Sequence, residues 1–368
     1  MRMPTRSGML GVLFLIALSP LWGCQGEPAA GPVNESIHAF YYGWYANQET
    51  DGKLLHWNHE VLGVDNPARF PGGDDIGANF YPLLGNYSSN DGKTLRRHLE
   101  YCVEAGVGVL VVSWWGAGSF EDESMALLMD LAGEYGIGIA FHLEPIPDRG
   151  ALTSREALVY LLDRYGDHPA LHRPAHNGHR PYVYIYDSYL TSASEWGRLL
   201  KPEGDLSIRG TDYDIFAIGL WVQKDEGAFF TEGGFDGFYT YFASDGFTYG
   251  SSTKNWKELA AWARQNDLTF IPCVGPGYLD TRIRPWNSAT TRPREEGAYF
   301  DRMFGAALEV NPRLIGITSF NEWHEGTQIE PSVSMSAGDY TYEDFAPLEP
   351  DFYLQRTRYW VEKFSGKK

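Results

Sequence analysis

The chain has 368 residues, of which 43% are hydrophobic, 15% aromatic and 21% charged. These proportions are typical of a globular protein and exclude a disordered or collagen-like chain. A formal net charge of −18 argues against the binding of nucleic acid or anionic membranes, and it leaves neutral substrates open. The 12 Trp, 23 Tyr and 20 Phe residues suit stacking on sugar rings, although packing could account for many of them.

The first residues have the pattern of an export signal. A basic start precedes an apolar run over residues 9–21, which is too short to span a bilayer as a stable helix. The run ends in Leu21-Trp22-Gly23-Cys24, which resembles a bacterial lipobox, whose cysteine is lipidated after cleavage. Because Trp22 departs from the usual small residue, an ordinary secretory signal cleaved nearby is the alternative.

These features predict an exported bacterial lipoprotein at the outer membrane, the cell surface or the periplasmic face. Membrane contact is expected only through the lipid anchor. The predicted organisation is a signal peptide over residues 1–23, a Pro/Gly/Ala-rich tether over 24–36 that starts with lipidated Cys24, and a catalytic domain over 37–368.

Eight short, nearly continuously apolar runs alternate with helical patterns in the rest of the chain. Such runs are typical of parallel strands that are covered on both faces. Strands are predicted near residues 38–45, 107–115, 137–145, 181–187, 214–222, 235–243, 268–275 and 314–322. Helices are predicted near 93–105, 122–135, 153–165, 192–201, 252–266, 294–310 and 350–364, with a weaker pattern at 223–233. The fold class is therefore α/β, a single (β/α)8 TIM barrel, with an open doubly wound sheet as the alternative.

A long Gly/Pro/Asn/Asp-rich loop over residues 46–91 follows the first strand, and a loop of this length in a compact domain is usually functional. It contains His56 and His59, whose spacing could suit a metal. Asp74 and Asp75 are the only acids near them, so sugar contact or loop packing is favoured. The chain has no CxxC, HExxH, Walker or GxGxxG pattern, and we expect no cofactor and no metal.

The remaining cysteines, Cys102 and Cys273, both lie in apolar surroundings. Buried free thiols are favoured over a disulfide for this pair.

Chemically capable side chains lie where the predicted strands end. Barrel enzymes carry their active sites at the carboxyl ends of their strands. An aromatic rim with carboxylates and amides suits a neutral polyol, since its C–H faces stack on rings and its hydroxyls donate to oxygen. The strand ends carry Trp44, Tyr45, Trp114, Trp115, His142, Glu144, Tyr186, Asp187, Trp221, Tyr239, Tyr241, Asn321, Glu322 and Glu325. Among them we expect substrate contacts from Trp115, His142, Glu144, Tyr186, Asp187, Tyr241 and Asn321.

Glu322 and Glu325 are the candidate catalytic pair. They are three residues apart at the end of the eighth strand, so one helical turn would direct both to the same side. Two carboxylates in a barrel mouth are the usual apparatus of glycoside hydrolysis. The alternative is a solvated helix face. Glu330 is predicted to be structural or to lie at the rim.

The neighbouring polar residues also have alternative interpretations. His142 and Glu144 alternate along the third strand, so both face the lumen mouth if one does. They could instead be a satisfied polar pair at the barrel end. Asp187 could equally cap the helix that follows it.

Taken together, these segments resemble glycoside hydrolase family 99, the family of endo-α-1,2-mannosidases and endo-α-1,2-mannanases. The similarity covers roughly residues 38–365. The matching strings are FYY with WY (40–45), GK (52–53), HWNH (56–59), DDIG (74–77), FYP (80–82), FHLEP (141–145), YIYDSY (184–189), GFDGFYTYFASDGFTYGSS (234–252), PCVGPGYLD (272–280), RPWN (284–287) and TSFNEWHEGTQIE (318–330).

The resemblance implies a (β/α)8 barrel that cleaves inside a glycan chain with retention of configuration. By resemblance, Glu325 is the general acid/base, and Glu322 deprotonates the 2-hydroxyl of the mannose at the cleavage site to form a 1,2-anhydro sugar. It also implies mannose contacts from Glu144, Tyr41 or Tyr42, and Tyr241. Trp286 would line the pocket, and Lys53 and His56 would belong to the loop over it.

The implied substrate is α-mannan or a mannose-rich N-glycan. In having Trp at position 115, the chain resembles the bacterial mannanases, which prefer Man-α-1,3-Man. The animal enzymes have Tyr at this position and act on Glc-α-1,3-Man. Two alternatives stay open: a non-catalytic glycan-binding lipoprotein at the cell surface, and an enzyme that acts on another α-linked glycan.

Overall fold

The computed structural model describes residues 32–65 and 67–366 of the chain. The predicted signal peptide, the lipidation site Cys24 and most of the predicted tether lie outside these residues. None of the helices in the described part is long and apolar enough to cross a membrane.

The strands follow the predicted alternation with helices. The strands are β1 (Asn34–Tyr41), β2 (Val107–Trp114), β3 (Gly138–Leu143), β4 (Tyr182–Ile185), β5 (Phe216–Leu220), β6 (Gly237–Tyr239), β7 (Thr269–Ile271), β8 (Cys273–Val274), β9 (Ile315–Ile317), and a small hairpin of β10 (Ser336–Ala337) and β11 (Tyr340–Thr341). The helices are α1 (Gln48–Asp51), α2 (Gly92–Ala105), α3 (Phe120–Glu134), α4 (Ala151–Tyr165), α5 (Ala193–Leu200), α6 (Gly227–Gly233), α7 (Trp256–Gln265), α8 (Ala298–Glu309) and α9 (Phe352–Ser365).

The main sheet is parallel and has the order β7-β6-β5-β4-β3-β2-β1-β9-β8. Its two ends are consecutive parts of one barrel strand, since only Pro272 separates β7 from β8. Proline has no backbone N–H for the ladder, which explains the interruption there. The sheet is therefore a closed barrel of eight strands, as predicted, and the open doubly wound alternative is wrong.

β1 begins earlier than predicted, at Asn34 rather than residue 38. The segment assigned to a tether, residues 24–36, therefore runs into the first strand. The Asn34 backbone N–H donates to the Gly106 carbonyl at 3.0 Å, which anchors this start beside β2.

Alternate residues of each strand face the barrel lumen or the surrounding helices, because strand side chains alternate between faces. In β1, His38 faces inward and its Nδ1 lies 2.8 Å from the Tyr184 hydroxyl. Tyr41, three positions further along, has the opposite parity and faces outward, and its hydroxyl lies 3.0 Å from Nδ1 of His98 on α2. This alternation determines which aromatic residues reach the mouth of the barrel.

Helices begin and end at residues suited to those positions. Asp91 caps α2 by accepting from the backbone N–H groups of Lys93 and Thr94, and Gly106 ends it in the left-handed conformation at φ 78°. Helix α2 buries Cys102 against the barrel, and Cys273 is buried in β8. Both are free thiols, which confirms the prediction for this pair.

The loop over residues 46–91 is packed against the barrel mouth. Trp57 is fully buried, stacks on Tyr45 at 4.2 Å between ring centroids, and donates its indole N–H to the Tyr87 carbonyl at 2.8 Å. The Leu62 backbone N–H donates to the Ile283 carbonyl at 2.7 Å, so this loop also contacts the loop that follows β8. Together the two loops build one side of the mouth.

Candidate active site

A cavity of about 370 Å³ opens at the carboxyl ends of the strands. Residues at or just beyond strand ends form one side, which we call the strand wall: Tyr42, Trp115, His142, Glu144, Tyr186, Asp187 and Tyr241. The opposite side, called the loop wall, consists of Trp44, His56, His59, Ile283 and Arg284. Pro145, Glu322, His324 and Glu325 complete the lining.

Glu322 and Glu325 lie on one tight turn after β9. Glu322 caps a single 3-10 turn, Trp323–Glu325, and its carboxylate accepts from the His324 backbone N–H at 3.0 Å. The Glu322 N–H in turn donates to the Ser319 hydroxyl at 2.7 Å. Both carboxylates therefore line the same cavity, the arrangement expected if the chain forms a helical turn here.

Buried hydrogen bonds support this turn from below. The Trp323 indole N–H and the Tyr87 hydroxyl both donate to one oxygen of Glu330, at 3.0 and 2.9 Å. The other Glu330 oxygen lies 3.2 Å from Nε2 of His98, and both side chains are completely buried. Glu330 is thus a structural residue that holds Trp323, one of the two residues between the candidate acids in the turn.

The two carboxylates differ in their surroundings. Burial, and then the nearby charge of Glu325, raises the pKa of Glu322 well above its ordinary value. Burial also raises the pKa of Glu325 to about 7, although Arg284 opposes this rise. The Arg284 guanidinium lies 3.6 Å from the Glu325 carboxylate, and the Glu325 side chain keeps 23% of its surface exposed. Since ionisation of one carboxyl disfavours ionisation of the other, the two titrate as a pair.

In the strand wall, Glu144 and His142 lie side by side with polar neighbours from the barrel. The Ser113 hydroxyl donates to the Glu144 carboxylate at 2.8 Å, and Nδ1 of His142 lies 3.0 Å from the same oxygen. On its other side, Nε2 of His142 lies 2.7 Å from the Tyr239 hydroxyl. Both residues line the cavity, and the pair is not fully satisfied, because Nδ1 of His142 has no hydrogen-bond partner in the protein.

Tyr42 and Tyr241 are joined through their hydroxyl groups at the mouth. Asn321 holds the Tyr42 backbone from both sides: its side-chain oxygen accepts from the Tyr42 N–H at 2.8 Å, and its amide donates to the Tyr42 carbonyl at 2.9 Å. Burial raises the pKa of both phenols, which keeps them protonated and able to donate. Asn321 lies outside the cavity lining, so it acts on the cavity through Tyr42.

Asp187 lies in the cavity lining and does not cap the following turn with its side chain. Its carboxylate instead accepts from the Tyr189 hydroxyl at 2.9 Å. Burial raises the pKa of Asp187 above its ordinary value. Of the two interpretations of this residue, the structure favours the pocket.

Besides Ile283 and the charged Arg284, the loop wall consists of neutral rings. His56 stacks on Trp44 with 4.4 Å between ring centroids and 5° between planes, and burial lowers the pKa of His56 to about 3. Burial lowers the pKa of His59 and His324 as well. Nδ1 of His324 lies 2.9 Å from the Gly77 carbonyl, so this nitrogen carries the proton and Nε2 is an acceptor.

Two buried polar atoms near this wall have no hydrogen-bond partner in the protein: Nε2 of His324 and the indole nitrogen of Trp44. An acceptor and a donor are therefore available to a polar ligand. Across the described residues, no group of three or more His, Cys, Asp or Glu side chains could hold a metal ion.

Besides Asn321, three residues predicted for the substrate site lie outside the cavity lining: Tyr41, Lys53 and Trp286. Tyr41 is buried against α2, because it occupies the outward-facing position of β1, so the contact expected from Tyr41 or Tyr42 falls to Tyr42. Lys53 is exposed on the loop over residues 46–91, where its ammonium group lies 5.4 Å from the ring centroid of Phe120.

Trp286 also lies outside the cavity lining. Its side chain is 62% exposed and its indole covers Gly63, where an added Cβ would collide with the ring. Trp286 therefore packs against the loop over residues 46–91 rather than facing the cavity. Its neighbour Arg284 occupies the cavity position instead.

Sequence reasoning did not assign four lining residues to the site: Pro145, Ile283, Arg284 and His324. Arg284 and His324 lie inside the matching strings RPWN and TSFNEWHEGTQIE, which was the available signal. The position of Arg284 beside Glu325 depends on the fold of a loop after β8. No strand period extends into that loop.

Comparison with known proteins places this geometry in a family. Residues 32–366 match the family described as Glycosyl hydrolase family 99. The Glycoprotein endo-alpha-1,2-mannosidases of Mus musculus and Xenopus laevis are each 44% identical to the chain, over 353 and 358 residues, covering 92% of this chain and 76% and 79% of the relatives. The solved GH99 endo-alpha-mannosidase from Bacteroides thetaiotaomicron superposes with a TM-score of 0.88 at 46% identity, over 91% of this chain and 99% of that chain.

Proposed function

The chain belongs to glycosyl hydrolase family 99, and from that premise we propose that it hydrolyses internal α-1,2-mannosidic bonds of α-mannan or mannose-rich glycans. The observation that carries the proposal is the pair Glu322 and Glu325 on one turn of one cavity. The names of the animal relatives and of the bacterial structure support the same activity.

In the first step, the ionised Glu322 carboxylate takes the proton of the mannose 2-hydroxyl. The 2-oxygen attacks the anomeric carbon, the bond to the leaving glycosidic oxygen breaks, and Glu325 gives that oxygen its proton. The product of this step is a 1,2-anhydro sugar. The 2-oxygen of an α-mannoside is trans to the leaving group, so attack from the opposite face is available.

In the second step, Glu325 acts as a base. It takes a proton from water, the water oxygen attacks the anomeric carbon, and the 2-oxygen leaves and recovers its proton from Glu322. Two inversions give net retention. This route needs a base within hydrogen-bond reach of the 2-hydroxyl and no covalent bond between sugar and enzyme, unlike the usual retaining scheme.

In the free protein, burial raises the pKa of Glu322 well above its ordinary value and that of Glu325 to about 7, so the assigned roles require the substrate to stabilise the ionised form of Glu322. A pKa of about 7 suits a group that must both give and take a proton near neutral pH. When the substrate 2-hydroxyl donates to Glu322, it stabilises the ionised form of that carboxyl. Because the pair is coupled, the remaining proton then belongs on Glu325.

The test is to replace each acid by its amide. Glu322→Gln and Glu325→Gln should each lower kcat by about 10³-fold or more while both variants still bind oligosaccharide, because the amide keeps the shape and loses the proton transfer. Glu232→Gln, at an exposed helix position, is the matched control. Near-normal turnover by either active-site variant would overturn the role assigned to that residue, and binding without turnover by the unaltered protein would favour a glycan-binding lipoprotein.

For the substrate, we propose a preference for Man-α-1,3-Man over Glc-α-1,3-Man on the non-reducing side of the cleaved bond. Trp115 supports this, since it lines the cavity and cannot accept a hydrogen bond from a glucose hydroxyl. Two matched tetrasaccharides that differ only in the terminal sugar would be incubated with the enzyme. Preferential release of Glc-α-1,3-Man would overturn the preference, and Trp115→Tyr should shift the ratio towards glucose.

We also propose export and lipidation at Cys24, on the lipobox-like sequence Leu21-Trp22-Gly23-Cys24. Expression of the full chain in a bacterium with a labelled fatty acid should label the protein. Cys24→Ala should remove the label. Secretion of an unlabelled protein would instead indicate an ordinary signal peptide.

A further inference from the structure

Beside the cavity, the 3-10 turn Ser188–Leu190 exposes two large apolar side chains. The Tyr189 side chain is 41% exposed and that of Leu190 is 64% exposed, on a chain whose formal net charge is −18. The reaction steps described above use neither residue. We call this pair the rim step.

The rim step follows Asp187 of the strand wall directly in the chain, and the Tyr189 hydroxyl contacts the Asp187 carboxylate. Trp114, Leu143 and Ile185 are register partners at the ends of β2, β3 and β4, so the three chains leave the barrel side by side. Two backbone bonds extend this alignment beyond the strands: the Glu144 N–H donates to the Trp114 carbonyl at 3.1 Å, and the Tyr186 N–H donates to the Leu143 carbonyl at 2.9 Å.

Trp115 and Asp187 therefore belong to one sector of the mouth, and both line the cavity. The rim step begins directly after Asp187. A chain of sugar rings that leaves the cavity along this sector would meet Tyr189 and Leu190 next.

The turn that carries the rim step is held in place. Asp187 adopts a left-handed conformation at φ 47°, which is uncommon for a residue other than glycine. The Arg149 guanidinium donates to the carbonyls of Tyr186, at 2.6 Å, and Asp187. The Tyr189 hydroxyl donates to the Asp187 carboxylate at 2.9 Å, which fixes the ring at the rim. A ring that is already fixed loses little conformational entropy when a ligand packs on it.

We propose that Tyr189 and Leu190 form an outer subsite for one further sugar residue, on the non-reducing side of the sugar that contacts Trp115. The proposal rests on the proposed function, which places the cleaved mannose at Glu322 and its non-reducing neighbour at Trp115. The occupant is a neutral hexose, because its apolar C–H face suits a phenol ring and a leucine while the adjacent Asp187 accepts a hydroxyl and repels an acidic sugar.

The test compares two substrates that differ in one residue. The short substrate has two sugars on the non-reducing side of the scissile bond, and the long one carries one additional α-linked hexose there. The unaltered enzyme should show a kcat/KM ratio, long over short, of about 5–10, in line with one aromatic contact. Tyr189→Ala with Leu190→Ala should bring that ratio close to one. Tyr189→Phe, which keeps the ring, should retain most of the preference.

Phe247→Ala is the matched control, since Phe247 is 52% exposed, packs against Phe242 and lies outside the cavity lining. It should leave the ratio unchanged. A ratio near one in the unaltered enzyme, or an equal ratio in the double variant, would overturn the outer subsite.

A binding measurement separates this proposal from the proposed function. Calorimetry of both oligosaccharides on Glu322→Gln, with and without the two rim substitutions, reports the subsite without cleavage. Tighter binding of the long oligosaccharide that the rim substitutions abolish supports the subsite even if the unaltered protein cleaves neither substrate, a result that would overturn the proposed function alone. Equal affinities would overturn the subsite.

Discussion

The two sides of the cavity are constructed by different means. In the strand wall, hydrogen bonds from other barrel residues hold the lining residues in place. Ser113 holds the Glu144 carboxylate, and Asn321 holds the Tyr42 backbone. The loop wall stacks neutral rings such as His56 and Trp44, and leaves the Trp44 indole N–H without a protein partner. The strand wall is therefore preorganised, while the loop wall keeps hydrogen-bonding capacity for a ligand.

The two candidate acids share this difference. Glu322 is buried on a turn supported by Trp323 and Glu330. Glu325 is partly exposed beside Arg284 of the loop wall. A base that must meet a single hydroxyl gains from a fixed position, whereas an acid that serves a departing glycan and then water gains from access to solvent.

The largest expected effect tests the support below the turn. Glu330→Ala would remove the acceptor of the Tyr87 hydroxyl, one of the two acceptors of the Trp323 indole and the carboxylate beside His98, so the free energy of unfolding should fall by about 3–5 kcal/mol. Denaturant titration measures this loss. The exposed control Glu232→Ala should stay within about 0.5 kcal/mol of the unaltered protein. A loss of similar size to the control would show that the turn does not depend on this group.

The next effect tests the environment of Glu325 through its pKa. Burial raises the folded-state pKa from 4.5 to about 7, so the protonated carboxyl favours the fold at low pH and that contribution is lost as the pH rises through about 7. The loss is roughly 2–3 kcal/mol between pH 4.5 and pH 8. Glu325→Gln cannot ionise, so its unfolding free energy should fall less over this range. Parallel stability curves for the two proteins would contradict the raised pKa.

A smaller effect separates the loop wall from the acid that it faces. Arg284 lowers the pKa of Glu325, so Arg284→Met should raise it and move the alkaline limb of the kcat/KM profile up by about one pH unit. Arg302→Met removes an exposed ion pair with Glu295 and serves as the control. An unmoved or lowered alkaline limb would show that Arg284 does not control this proton.

The smallest effect concerns Trp286, which the loop carries outside the cavity. Trp286→Ala should change kcat/KM by less than about twofold, while Trp115→Ala, in the strand wall, should lower it by about tenfold through lost packing on the sugar. Steady-state kinetics on one oligosaccharide compares the two. Equal losses would mean that Trp286 contacts the substrate and therefore belongs to the cavity lining.

Much of the strand wall could be predicted because strands have a period of two. Tyr42, directly after β1, continues the parity of the inward-facing His38, and Glu144 has the same parity as His142. The same rule, applied consistently, would have directed Tyr41 to α2, so that error came from leaving the two tyrosines as alternatives. The strands themselves were predicted from apolar runs, and these runs extend up to five residues beyond the strand ends, as at Ile317 of β9.

The loop wall could not be predicted in this way. His56, Ile283 and Arg284 come from irregular segments, whose paths depend on contacts such as that between the Leu62 N–H and the Ile283 carbonyl. No local period describes such contacts, because the partners are far apart in the chain.

The amino-acid sequence by itself determined the barrel, the family and the pair Glu322 and Glu325, since all three are carried by local periods and short contiguous strings. Tertiary structure decided which side chains complete the site and how its acids titrate. Asn321 became a support for Tyr42, and Arg284 became the neighbour of Glu325. The physical reason is that pKa values and hydrogen-bond partners depend on burial and on distances between remote residues, which only the closed barrel and its packed loops establish.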